Sequence, residues 1–85
     1  MESDAEYNRL CWHSRRGMLE LDLVLEPFVR EAYPSLAEED KQRYRRLLEC
    51  EDQDLFRWLV GAEQVENKEI ATIVQHIIRH ARVAS

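Results

Sequence analysis

Apolar residues return every third or fourth position along this chain and nowhere alternate with period two over a useful length, so helices are expected throughout. Tyr7, Leu10 and Cys11 stand at i, i+3, i+4 and mark a first helix, with Asp4 as its candidate cap, until Gly17 interrupts the pattern. A second helix is predicted from about Met18 to Tyr33. Leu21, Val24, Leu25, Phe28 and Ala32 share one face of it, and Leu19 and Leu23 widen the stripe. So broad a stripe predicts a central helix covered on more than one side. Pro27 removes a ladder bond inside this pattern and predicts a kink or break near Leu23. Tyr33-Pro34 ends the element. Ser35 with Glu38 reads as a capping box opening a third helix to about Cys50, with Tyr44, Leu47 and Leu48 inward. Asp52 is a candidate cap for a short fourth helix, in which Leu55, Phe56, Leu59 and Val60 are expected to face inward and which Gly61 ends. Asn67 opens a fifth, carrying Ile70, Ile73, Val74, Ile77 and Ile78. The expected fold is all-α, a single-domain bundle of about five helices spanning residues 1–85.

Size narrows the function classes. With 85 residues there is room for one core, and a chain this short buries only about 60% of the surface its unfolded form exposes. Wall residues of a deep substrate pocket would also be needed to hold the fold, so a surface that binds a larger partner is expected. The formal net charge of -5 and pI of about 5.1 argue against nucleic-acid binding, where basic residues must replace counterions. No apolar run is long enough for membrane insertion. The start, MESDAEYNRL, has neither a signal nor a transit pattern, so a cytoplasmic (bacterial) monomer is expected.

Candidate chemistry is sparse. Cys11 and Cys50 form no CxxC pair and read as reduced, half-buried hydrophobes. His76 and His80 share a helix face at i, i+4, but no third ligand accompanies them, and a zinc site needs three or four. Arg43, Arg45 and Arg46 with Lys41 read as a solvated face paired with Glu38, Glu39, Asp40 and Glu49. Trp12 and Trp58 lie off the apolar stripes, as core-edge residues or as interface anchors. No Ser/His/Asp or Cys/His arrangement and no phosphate-binding glycine loop is present, so no enzyme activity is expected.

The most unusual stretch is Arg15-Arg16-Gly17-Met18-Leu19-Glu20-Leu21-Asp22, two arginines before a glycine at a helix junction with carboxylates just after it. One reading is structural: Gly17 ends a helix and Glu20 supports the N-terminus of the next. The other is a docking corner for a partner. RRGMLELD resembles the RGxxE signature of the factors that assist covalent FAD attachment to succinate dehydrogenase and fumarate reductase, with Arg16, Gly17 and Glu20 at its fixed positions. Leu47-Leu48-Glu49 followed by Asp52, Asp54-Leu55-Phe56 and Trp58-Leu59 is similar to a second block of that family. The resemblance runs from about Leu10 to Gly61. His13-Ser14 departs from an alanine-cysteine pair common before the double arginine, and Gln53 stands where proline is frequent.

The resemblance implies an assembly chaperone that binds the flavoprotein subunit and favours the conformation in which FAD attaches to one of that subunit's histidines. No stably bound cofactor is implied, since the FAD belongs to the partner. Carried over by position, Arg16, Gly17 and Glu20 would form the partner contact, with Arg15 and Asp22 at its rim. Gly17 would allow close backbone approach, and Arg16 would reach a carboxylate or carbonyls of the partner. The alternative is an antitoxin-type regulator that binds a toxin or cell-shape proteins, as described for some relatives.

Overall fold

The structure is a computed structural model that describes residues 4–84, with side chains described for 4–82. Its helices are α1 (Asp4–Ser14), α2 (Leu19–Glu31), α3 (Glu38–Leu47), α4 (Asp52–Leu59) and α5 (Lys68–Ala84), with a 3-10 turn at Tyr33–Ser35 between α2 and α3. No strand occurs among the described residues.

Leu21, Leu25, Phe28 and Val29 put one face of α2 out of reach of water. That face serves several neighbours, because α2 packs on α1, α4 and α5. Across from it α3 contributes Tyr44 and Leu47, α4 contributes Leu55 and Leu59, and α5 contributes Ile70, Ile73, Val74 and Ile77. Phe28, Tyr33 and Tyr44 form an aromatic centre, with centroids 5.4 Å apart for Phe28–Tyr44 and for Tyr33–Tyr44. Two phenols also tie α1 to the bundle. Tyr7 Oη donates to the Val29 carbonyl at 2.9 Å. Ser14 Oγ donates to the Leu10 carbonyl, so Tyr44 Oη must donate to Ser14 Oγ, at 2.8 Å. Burial pushes the Tyr44 phenol up, only partly offset by that Ser14 bond, so it stays a donor.

Several local expectations are revised. Pro27 does not break α2, which runs unbroken through it. The bond it removes leaves only the Leu23 carbonyl without its partner, on the exposed side where water can replace it. Leu19 and Leu23 are not covered: they stay 68% and 66% exposed. Ser35 makes no capping box. Pro34 draws the chain into the 3-10 turn first, and α3 starts after Ala37 without a side-chain cap. Asp52 is the first residue of α4 rather than its cap, and Phe56 and Val60 lie at the solvent edge while Leu55 and Leu59 are buried. The fifth helix matches its expectation: Asn67 Oδ1 accepts from the backbone N–H groups of Glu69 (2.9 Å) and Ile70 (3.1 Å).

At the end of α4 the left-handed residue is Ala62 (φ 56), while Gly61 gives close approach, since a Cβ there would lie 2.9 Å from the Arg57 carbonyl oxygen. Ala62→Gly should therefore raise stability by about 0.5 kcal/mol, the relieved strain of about 1–2 kcal/mol being partly offset by a freer unfolded chain. Ile73→Ala, opening the centre of the core, should cost about 2–5 kcal/mol. Urea denaturation of both variants checks this pair.

Candidate functional site

The junction between α1 and α2 collects the ends of four helices, with the end of α3 and the start of α4 beside it. The last turn of α1 and the end of α3 both present carbonyls that have no partner inside their helices and carry the negative ends of their dipoles. Arg16 answers both. Its Nη1 donates to the Leu48 carbonyl at 2.9 Å and the His13 carbonyl at 3.1 Å, and its Nη2 donates to the Cys50 carbonyl at 2.8 Å. Its Nε donates to Asp52 Oδ1 at 2.7 Å, at the start of α4. The Arg16 side chain is only 11% exposed, against 42% for Asp52. The planar fork suits such a cluster of acceptors better than an ammonium would. The guanidinium is thus spent inside the chain, where a partner contact had been expected.

Asp22 is also turned inward. Its Oδ1 accepts from the backbone N–H of Arg16 at 2.8 Å, reaching back from the first turn of α2 as a capping carboxylate does. Held from both sides, the backbone turns at Gly17 with φ +78, a conformation L side chains rarely adopt. Gly17 is exposed, and a Cβ built on it would meet nothing within 4 Å. The need for glycine is therefore conformational, and the space above it is open.

Glu20, two residues into α2, is exposed and makes no side-chain hydrogen bond or ion pair among the described residues. Arg15 points elsewhere: it pairs with Glu26 at 3.2 Å and stacks 5.6 Å from the centroid of Trp12, itself 71% exposed. The five residues singled out by sequence hence fall into three groups. Arg16 and Asp22 brace the loop, Gly17 and Glu20 are presented by it, and Arg15 belongs to the α1–α2 surface.

The acceptors that hold Arg16 were not identified from sequence as its partners. All but the His13 carbonyl lie more than thirty positions away, in the turn between α3 and α4. Cys11 and Cys50 are half-buried free thiols. Burial pushes the Cys50 thiol up, aided by Asp54 and opposed by Arg16. His76 and His80 face carboxylates on other helices, Asp40 at 3.5 Å and Glu31 at 3.0 Å, and no three potential metal ligands converge among the described residues. Arg43 binds Asp40 and Glu69, and Arg45 binds Glu38 and the Tyr33 hydroxyl, so much of the basic cluster is paired. A cleft of about 540 Å³ between α1 and α3 is lined by Glu6, Arg9, His13, Glu38, Arg45 and Glu49 together with Leu10.

The architecture defines a class by its form: a small all-helical bundle with a braced glycine turn beside an exposed, unpaired carboxylate. The chain is a member of the family described as "Flavinator of succinate dehydrogenase", whose profile matches residues 8–81. Among its relatives is the FAD assembly factor SdhE of Pseudomonas savastanoi pv. phaseolicola, 55% identical over 78 residues, which are 92% of this chain and 93% of the relative. The protein of the same name from Idiomarina loihiensis is 44% identical over 82 residues, 96% of this chain and 91% of the relative. The solution structure of a UPF0350 protein superimposes with a TM-score of 0.78 at 39% identity, covering 99% of this chain and 89% of that one.

Removing the brace should loosen the whole junction. Arg16→Met is expected to lose about 2–3 kcal/mol, the worth of hydrogen bonds to a charged group, and Arg16→Lys to recover only part of it. For a chain of this size each kcal/mol moves the Tm by about 4–8 °C, so thermal unfolding reads the series. Gly17→Val should cost about 1–2 kcal/mol through its left-handed φ, and Gly17→Asn clearly less.

Proposed function

We propose that this chain is an assembly chaperone that binds the flavoprotein subunit of succinate dehydrogenase or fumarate reductase and promotes covalent attachment of FAD to it, with Gly17 and Glu20 touching the partner. Family membership over residues 8–81 supports the partner. The observation that carries the site is that Glu20 is exposed and unpaired beside an open, rigidly held Gly17, while its neighbours Arg16 and Asp22 are tied down. A carboxylate so placed can accept from a donor on the partner, and the bare glycine backbone can be approached closely.

On this reading the chain performs no chemistry of its own, and the FAD is the partner's. The α1–α3 cleft suits a dinucleotide poorly, because Glu6, Glu38 and Glu49 outnumber Arg9 and Arg45 in its wall and Arg45 is already engaged by Glu38 and Tyr33. The helper would act by binding one arrangement of the flavoprotein more tightly than others, shifting its population toward the one that aligns flavin and acceptor. Alignment alone can supply several kcal/mol of such a barrier. Working as a single copy in the bacterial cytoplasm is part of the same proposal. The assembly-factor name carried by the relatives favours this over the antitoxin alternative.

Deleting the gene should abolish the ultraviolet-fluorescent covalent-flavin band at the flavoprotein's size on a denaturing gel. The wild-type chain should restore it, and Glu20→Ala should not, although that variant should melt within about 0.5 kcal/mol of wild type. An unchanged band in the deletion strain would sink the proposal.

A further inference from the structure

Of the large apolar side chains left exposed among the described residues, two stand one helical turn apart on the outward ridge of α2: Leu19, 68% exposed, and Leu23, 66% exposed. They flank Glu20 in sequence and begin two residues beyond Gly17. The opposite side of the same helix is fully committed, with Leu21 and Leu25 at 0% exposure. Single exposed leucines need no explanation, but a pair on one ridge beside an unpaired carboxylate does. Phe56 and Val60, 36% and 41% exposed, lie on α4, which packs on α2 and whose first residue, Asp52, is held by Arg16.

We propose that Leu19 and Leu23 are the apolar anchors by which the flavoprotein subunit is gripped, entering a nonpolar depression on the partner whose border carries a cationic or N–H donor group for Glu20. This inference rests on the assembly-chaperone reading and adds to it the source of the binding energy. The occupant follows from continuity: a macromolecule that reaches both the open face of Gly17 and the carboxylate of Glu20 must lie over the ridge between and just beyond them. The brace assigns the rest. Asp22 and Asp52 are tied to Arg16 and Glu26 is paired with Arg15, so Glu20 is the unpaired carboxylate flanked by the leucines. Apolar anchors with a single directional polar contact are the usual make-up of the energetic centre of an interface.

The test is direct binding of the full chain to purified, FAD-loaded flavoprotein subunit lacking the covalent bond, measured by calorimetry. Alanine keeps helix propensity, so Leu19→Ala, Leu23→Ala and the double variant should melt like wild type. Each single variant is expected to bind about tenfold more weakly and the pair about a hundredfold. Covalent-flavin formation by the double variant should recover when its concentration is raised by the same factor. Trp12→Ala, on the α1 side, should bind as wild type does. Wild-type affinity in the double leucine variant overturns the inference, as does a loss confined to Trp12→Ala, which would put the partner on the other side of α1. If the wild-type chain forms no complex, the assembly-chaperone reading itself fails, a result distinct from either.

Discussion

One guanidinium decides the shape of the corner between α1 and α2. α1 and α3 end close together, and without a cation between them their free carbonyls would face one another with only water to bond. Arg16 fills that place, bridging His13, Leu48 and Cys50 by their carbonyls and Asp52 by its carboxylate. Its own backbone N–H is fixed by Asp22. The residue after it therefore has little freedom, and the left-handed turn at Gly17 is the consequence. Bonds that span the start of α2, the α3–α4 turn and the last turn of α1 make this corner part of the core's cooperative unit.

The helices themselves were legible because burial on a helix leaves a 3.6-residue signature. Leu21, Leu25 and Phe28 on α2 and Ile73, Val74 and Ile77 on α5 are buried where the period places them. The same rule overreached at Leu19, Leu23, Phe56 and Val60, because apolar character says that a side chain avoids water, not that this chain supplies the cover. The misread boundaries share a cause. Ser35 and Asp52 are residue types that cap helices, but Pro34 and Arg16, respectively, had stronger claims on the local geometry. Asn67 met no such competitor and caps as its type suggests.

The corner was only half legible. That the stretch from Arg15 to Asp22 is unusual was readable from two arginines, a glycine and two carboxylates at a helix junction, while its grouping as a contact patch came from the family resemblance. Which of them face inward was not, since it depends on a turn more than thirty residues away that only the tertiary fold brings near. Of the structural reading, the left-handed turn at Gly17 holds, and the carboxylate that reaches back from α2 is Asp22 in place of Glu20; the docking role proposed for Gly17 and Glu20 is compatible with it.

Such a division of labour suits the helper role proposed for this chain. A flexible loop that ordered only on contact would spend part of its interaction energy on its own conformational entropy, leaving less to distinguish one arrangement of the partner from another. A corner already fixed by Arg16 has little left to order. More of the energy released in the proposed docking can then appear as differential affinity, the quantity by which binding shifts a conformational equilibrium. In a chain of 85 residues the core cannot be enlarged to stiffen a loop from beneath. Bonding the loop to helix ends that need a cation in any case achieves the same rigidity without additional residues.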